Sequence, residues 1–176
     1  MVITPAADAG TLSGGTDVCV GDLLPLSSTT SGGTWSSSNP AVATINNSGV
    51  VTGVSIGIST ISYVVTGSGG CLNDTSTIVV NVGANLTPTV TISQSQTGII
   101  CANSNVTFTA NTTNGGGSPV YQWQLNGFDI PGATSSTYTN STLVNGDVIS
   151  VVLTSSVSCA LTTTASASTG VNGITV

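Results

Sequence analysis

The run Thr34-Trp35-Ser36-Ser37-Ser38-Asn39-Pro40-Ala41-Val42-Ala43-Thr44-Ile45, followed by Gly49-Val50-Val51-Thr52-Gly53-Val54 and Gly57-Ile58-Ser59-Thr60-Ile61-Ser62-Tyr63, decides the fold. Apolar, mostly β-branched or aromatic residues alternate in it with hydroxyl side chains at period two, the spacing of a half-buried strand. Asn39-Pro40 and Asn46-Asn47-Ser48-Gly49 interrupt it with turn-forming residues. Working outward, the first half of the chain reads as strands over Leu23 to Ser27, Thr34 to Ser37, Ala41 to Ile45, Val50 to Val54, Ser59 to Thr66 and Thr75 to Val82. The second half repeats the rhythm over Thr89 to Ser93, Asn105 to Thr109, Val120 to Leu125, Ser136 to Thr139, Asp147 to Ser155 and Thr162 to Ala167. No stretch carries a 3.6-residue pattern, and short strands with a turn every 8 to 12 residues predict an all-β fold of sandwich type.

Two such folds are expected. Cys19 and Cys71 enclose Trp35, and Cys101 and Cys159 enclose Trp123. Asp17-Val18-Cys19-Val20-Gly21-Asp22 and Ile99-Ile100-Cys101-Ala102-Asn103 each precede an apolar alternation. We read two diverged repeats, residues 1–84 and 85–176, joined within Gly83-Ala84-Asn85-Leu86-Thr87-Pro88. Four cysteines allow three pairings. Bonding Cys19 to Cys71 and Cys101 to Cys159 makes each repeat self-contained, and closing loops of that size stabilises each by roughly 4 kcal/mol in the chain-entropy account. Zinc is the rival use, but it favours closely spaced cysteine pairs, which this chain lacks. A catalytic thiol requires a cationic neighbour to lower its pKa.

The composition supplies no such neighbour. Among 176 residues there is no Lys, Arg, His or Glu, and six Asp give a formal net charge of -6. Without cations to neutralise phosphates, nucleic-acid binding and attraction to anionic membranes are disfavoured. Imidazole bases, Schiff-base lysines and P-loop lysines are excluded outright, so the expectation is a protein that is not an enzyme. The mean hydropathy of +0.42 and 56 Ser plus Thr describe a β-rich chain whose polarity comes from hydroxyls. No apolar window is long enough to span a membrane, and Met1 to Pro5 show neither the basic nor the apolar region of a signal peptide. The cysteines nonetheless fit an oxidising compartment, as expected of a segment of a longer secreted protein.

The quoted run closely resembles the bacterial Ig-like domain, group 2, the module of intimin- and invasin-type adhesins, over most of residues 9–83. The second half is similar to another bacterial Ig-like or PKD-like module through Cys101, Tyr121-Gln122-Trp123-Gln124-Leu125-Asn126-Gly127, Ile130-Pro131-Gly132-Ala133-Thr134 and Gly146-Asp147. The pair resembles tandem repeats in very large surface adhesins of the Bacteroidetes exported by the type IX route. That resemblance implies a non-catalytic stalk or filament segment at the cell surface, whose partners are neighbouring Ig-like repeats or like subunits in a fibre. An accessory or glycan-binding module of a secreted carbohydrate-active enzyme is the alternative, and surface glycans are its partners.

Individual residues follow from this frame. Trp35 and Trp123 are expected in the cores, Tyr121 sharing a strand face with Trp123. Phe128 and Tyr138 are the candidates for a ligand-facing surface. No cofactor is expected. If calcium binds, Asp17 and Asp22 are the candidate ligands, although no D-x-D-x-D-G loop is present and Asp is also an ordinary turn residue. Asp147 is expected to make local hydrogen bonds. Asn46, Asn73, Asn85, Asn105, Asn111 and Asn140 begin glycosylation sequons. The apolar strands at Ile78-Val79-Val80 and Val148 to Leu153 would invite lateral pairing if they were sheet edges, since no Lys is available as a blocker.

Overall fold

The computed structural model describes residues 5–175, so the reading of the extreme N-terminus as lacking a signal peptide falls outside the described residues for positions 1–4. The fold is all-β, with no helix among the described residues. The chain divides into two compact units, the first ending at Asn85 and the second starting at Leu86.

In the first unit, β1 (Leu12–Gly14), β3 (Leu23–Ser28), β6 (Val50–Gly53) and β5 (Ala43–Ile45) form one sheet in the order β1-β3-β6-β5. The other is β2-β8-β7-β4, from β2 (Asp17–Cys19), β8 (Asp74–Gly83), β7 (Gly57–Val65) and β4 (Thr34–Ser37). Pairing is antiparallel except between β2 and β8. Period-two alternation sends Val18, Leu26, Ala43, Val51, Ile61, Val80 and Val82 into one buried cluster.

In the second unit, β14 (Thr137–Asn140), β11 (Val106–Thr113) and β9 (Thr89–Gln94) form one antiparallel sheet. β13 (Phe128–Asp129), β12 (Val120–Leu125), β15 (Val148–Thr154) and β16 (Thr164–Gly170) form the other. β10 (Ile100–Cys101) pairs in parallel with β17 (Ile174–Thr175). Its core gathers Phe108, Trp123, Ile149, Val151 and Leu153, all without solvent exposure.

Most of the long strands coincide with the expected ones, and the differences have local causes. The strand expected from Ala41 starts at Ala43, because the Asn39 carbonyl accepts both the Val42 and Ala43 N–H groups at 3.0 Å and keeps the turn closed through Val42. β2, β10, β13 and β17 are only two or three residues long, too short to show a period. Of the two apolar strands feared as edges, β15 is paired on both sides, by β12 and β16, whereas β8 pairs β7 along its length but β2 only over Asn81 to Gly83, so Ile78-Val79-Val80 has a strand partner on one side. Outer strands such as β4 and β16 are instead rich in Ser and Thr.

The expected intradomain disulfides are corrected. Cys19 and Cys159 are each disulfide-bonded, whereas Cys101 is an exposed thiol, so the expected Cys101–Cys159 bond is not made. Strand length explains why neither expected pair forms. Cys19 is in register with Gly83 at the end of β8, whereas Cys71 precedes its start at Asp74. Ten extended residues put those ends about 33 Å apart. In the second unit Cys101 is in register with Thr175, beside the start of β15, where Gly146 N–H bonds Val171. Cys159 lies beyond the other end of β15, after Ser155 N–H has bonded Thr163. A disulfide tolerates a Cα separation of only about 7 Å.

Candidate functional site

The side chains that the sequence singles out serve three settings: the cores, the sheet surfaces and the strand ends. Trp123, at the centre of β12, is fully buried and donates its Nε1–H to the Ser135 carbonyl at 2.9 Å. Tyr138 lies with its ring 6.0 Å from that of Trp123 and 6.4 Å from that of Phe108, and its hydroxyl accepts from Asn140 Nδ2 at 2.9 Å. Its ring is thereby part of an aromatic stack on the core. Phe128 is different. The hairpin turn Asn126-Gly127, with φ of 52° and 82°, lifts it onto β13 at 78% exposure.

Trp35 is half-buried against the first core, its ring 4.6 Å from that of Tyr63. The two line a shallow cleft of about 310 Å³ with Leu26, Gly33 and Ser48. Nearby, Ser59 Oγ is almost fully buried, 2.9 Å from Ser37 Oγ, and accepts the Asn39 N–H at 3.2 Å. Ser37 Oγ donates to the Ala43 carbonyl at 2.6 Å. The run Trp35 to Ala43 is therefore pinned to β7 by hydroxyls, a role that alternation alone does not reveal. A hydroxyl buried without such partners would cost a few kcal/mol.

The acidic residues are occupied locally. Asp17 accepts from Asn81 Nδ2 at 3.1 Å and Thr16 Oγ1 at 3.0 Å. Chiefly the Asn81 bond, then that from Thr16, lowers its pKa below the ordinary Asp value. The Asp22 carbonyl accepts the Gly53 N–H at 3.2 Å. Among the described residues no group of three or more Asp, Cys, His or Glu is arranged to hold a metal. Asp147, largely buried, accepts from Asn126 Nδ2 and from the Val144 N–H, both at 2.9 Å, the local role expected of it. The carboxylates of Asp17 and Asp147 thus secure a strand end and a turn.

The strand ends carry the cysteines. Asn85 Nδ2 donates to the Val20 carbonyl at 2.9 Å, fixing the residue that follows Cys19. The Leu86 N–H donates to the Cys159 carbonyl at 2.8 Å, and the Leu86 carbonyl accepts the Leu161 N–H at 2.8 Å. Within the first unit Asn85 thus holds the residue after Cys19, and within the second Leu86 holds Cys159 itself. No helix among the described residues is long and apolar enough to cross a membrane.

Comparison with known proteins bears on the fold. A search of curated proteins finds no match. Murine CEACAM1b is similar in structure, with a TM-score of 0.52 and 13% identity over 93% of this chain and 100% of that one. Fibronectin(III)-like modules of Clostridium thermocellum CbhA give a TM-score of 0.39 at 17% identity, covering 92% and 94%. The S-layer protein rSbsC(31-844) gives 0.34 at 19%, covering 85% of this chain and 23% of that one. Residues 3–71 match the family model of the bacterial Ig-like domain (group 2).

Proposed function

We propose that the chain is a non-catalytic structural and adhesive segment of a large bacterial surface protein, built from two tandem Ig-like modules and serving as a stalk. The observation that carries this reading is the group 2 bacterial Ig-like match over residues 3–71, set in an all-β unit whose polar groups are engaged in holding strands and turns. Secretion by the type IX route and extracellular display belong to the same proposal, as does contact with neighbouring repeats. Antibodies raised against the chain should label intact cells of the producing bacterium, and deletion of the segment should shorten the surface structure and weaken attachment. Labelling only after permeabilisation would overturn the proposal.

A glycan-binding module is the second reading, and the exposed Phe128 ring favours it. Aromatic faces stack on sugars. A glycan array probed with the chain should then give binding that Phe128→Ala abolishes. An array without signal removes this reading and leaves the first untouched.

A further inference from the structure

The cleft beside Trp35, within the first unit, has walls that are held in place without the polar side chains of its rim. On one side the Tyr63 hydroxyl bonds the Gly33 N–H and the Thr30 carbonyl and so fixes the loop between them. Gly33 is required there, because a Cβ would stand 2.4 Å from the Tyr63 ring. On the other side Asn46 Oδ1 accepts the Ser48 N–H at 2.9 Å and the Val50 N–H at 3.0 Å, which closes the turn into β6. Ser31, Asn47 and Ser48 line the cleft, are exposed, and among the described residues their side chains make no hydrogen bond.

Trp35 supplies a second, independent observation. A buried indole N–H ordinarily finds an acceptor, and Trp123 gives its own to the Ser135 carbonyl. The Trp35 N–H has no acceptor among the described residues. It is not sealed in the core either, since the buried side-chain polar atom left unpaired there is Gln94 Oε1. Gly49 keeps the indole uncovered: a Cβ at that position would stand 3.2 Å from Nε1. A half-exposed aromatic ring with an open donor therefore meets a rim of two hydroxyls and one amide.

The chemistry of this lining selects its ligand. No carboxylate lines the cleft, and the chain has no cationic side chain. A charged ligand would lose its hydration there without gaining a counter-charge. At about 310 Å³ the cleft stands at the small end of ligand sites, which run roughly from 300 to 1,000 Å³. A sugar ring meets these conditions, with an apolar C–H face for the indole and hydroxyls that both donate and accept. We propose that the Trp35 cleft binds one ring of a neutral glycan chain. The Trp35 N–H donates to a sugar hydroxyl, and Ser31, Asn47 and Ser48 bond the hydroxyls at the rim. This site is separate from the exposed Phe128 ring, and it holds whether or not the chain serves as a stalk.

The test titrates the isotope-labelled full chain with mannohexaose, cellohexaose and laminarihexaose, three uncharged hexose oligomers, and follows both indole N–H resonances by NMR. The Trp35 resonance should shift saturably with at least one of them while that of Trp123 stays in place. Asn47→Ala, at an exposed turn position, should weaken that binding about tenfold, as the loss of one hydrogen bond would. Trp35→Phe, which keeps a ring and removes the donor, should weaken it similarly, and Phe128→Ala should leave it unchanged. A Trp35 resonance that none of the three sugars moves overturns the proposal, as does a Kd indifferent to Asn47→Ala. Labelling of intact cells reports the stalk reading and Phe128→Ala the second reading, so each can fail on its own.

Discussion

The Tyr63 hydroxyl joins β7 to the turn before β4 by accepting the Gly33 N–H at 2.7 Å and donating to the Thr30 carbonyl at 3.0 Å. The ring itself is buried against Trp35, so this one side chain closes the end of the first sandwich. Tyr63→Phe keeps the ring and removes both bonds. The expected loss is about 1–2 kcal/mol, since a partly buried donor and acceptor are left without partners. A urea midpoint identical to that of the parent would show that water replaces the hydroxyl without cost.

Gly49, immediately before β6, and Gly132 share a left-handed backbone but differ in their surroundings. Gly49 has a φ of 79°, and a Cβ there would stand 2.6 Å from the Leu26 carbonyl oxygen and 3.2 Å from Trp35 Nε1. Gly132 has a similar φ of 76° with open space around it. Gly132→Ala should therefore cost only the left-handed backbone penalty of about 1 kcal/mol, and Gly49→Ala distinctly more, because a backbone oxygen must also move. Thermal unfolding of the two variants separates the contributions. Equal shifts in Tm would mean that β3 yields freely.

Much of this architecture is legible in the sequence, and the cysteines show where legibility stops. Alternation places Ile61, Tyr63, Trp123, Val151 and Leu153 inward because a strand has only two faces, and burial of one fixes the register. Asn126-Gly127 announces its hairpin because few residues tolerate two successive positive φ values. Spacing along the chain, by contrast, does not say at which end of a strand a loop residue comes to lie. Cys71 and Cys19 frame a repeat in sequence, yet β8 separates them in space. The signal was present: an apolar alternation from Thr75 to Val82 must span the sandwich before the chain reaches Asn85, which carries Cys71 to the far end. The buried Ser59 hydroxyl offered no such signal, since Ser is abundant on both faces of these sheets.

Asp17 makes a pH-dependent contribution whose sign follows from its partners. The Asn81 and Thr16 bonds favour its ionised form and hold its pKa below the ordinary 3.8. A carboxyl depressed on folding stabilises fully above its unfolded pKa and loses that contribution as pH falls through the folded value. NMR titration should place Asp17 below the ordinary range, and Asn81→Ala should move it upward. A midpoint unmoved by Asn81→Ala would assign the depression to Thr16 or to the backbone.

Trp35 on β4 and Trp123 on β12 differ in burial, and so in what their loss should cost. Trp123 is fully enclosed and its indole N–H is bonded to Ser135, so Trp123→Ala opens a large cavity and strands a carbonyl. A loss of about 3–5 kcal/mol is expected, a large fraction of a small unit's stability. Trp35 keeps one side on the cleft beside Tyr63 and Gly33, so part of its surface never leaves water. Trp35→Ala should cost distinctly less, because the transfer contribution scales with apolar area buried. Calorimetry of the two variants should show the larger displacement for Trp123→Ala. The reverse order would mean that Trp35, with Tyr63, is the anchor on which the first sandwich depends.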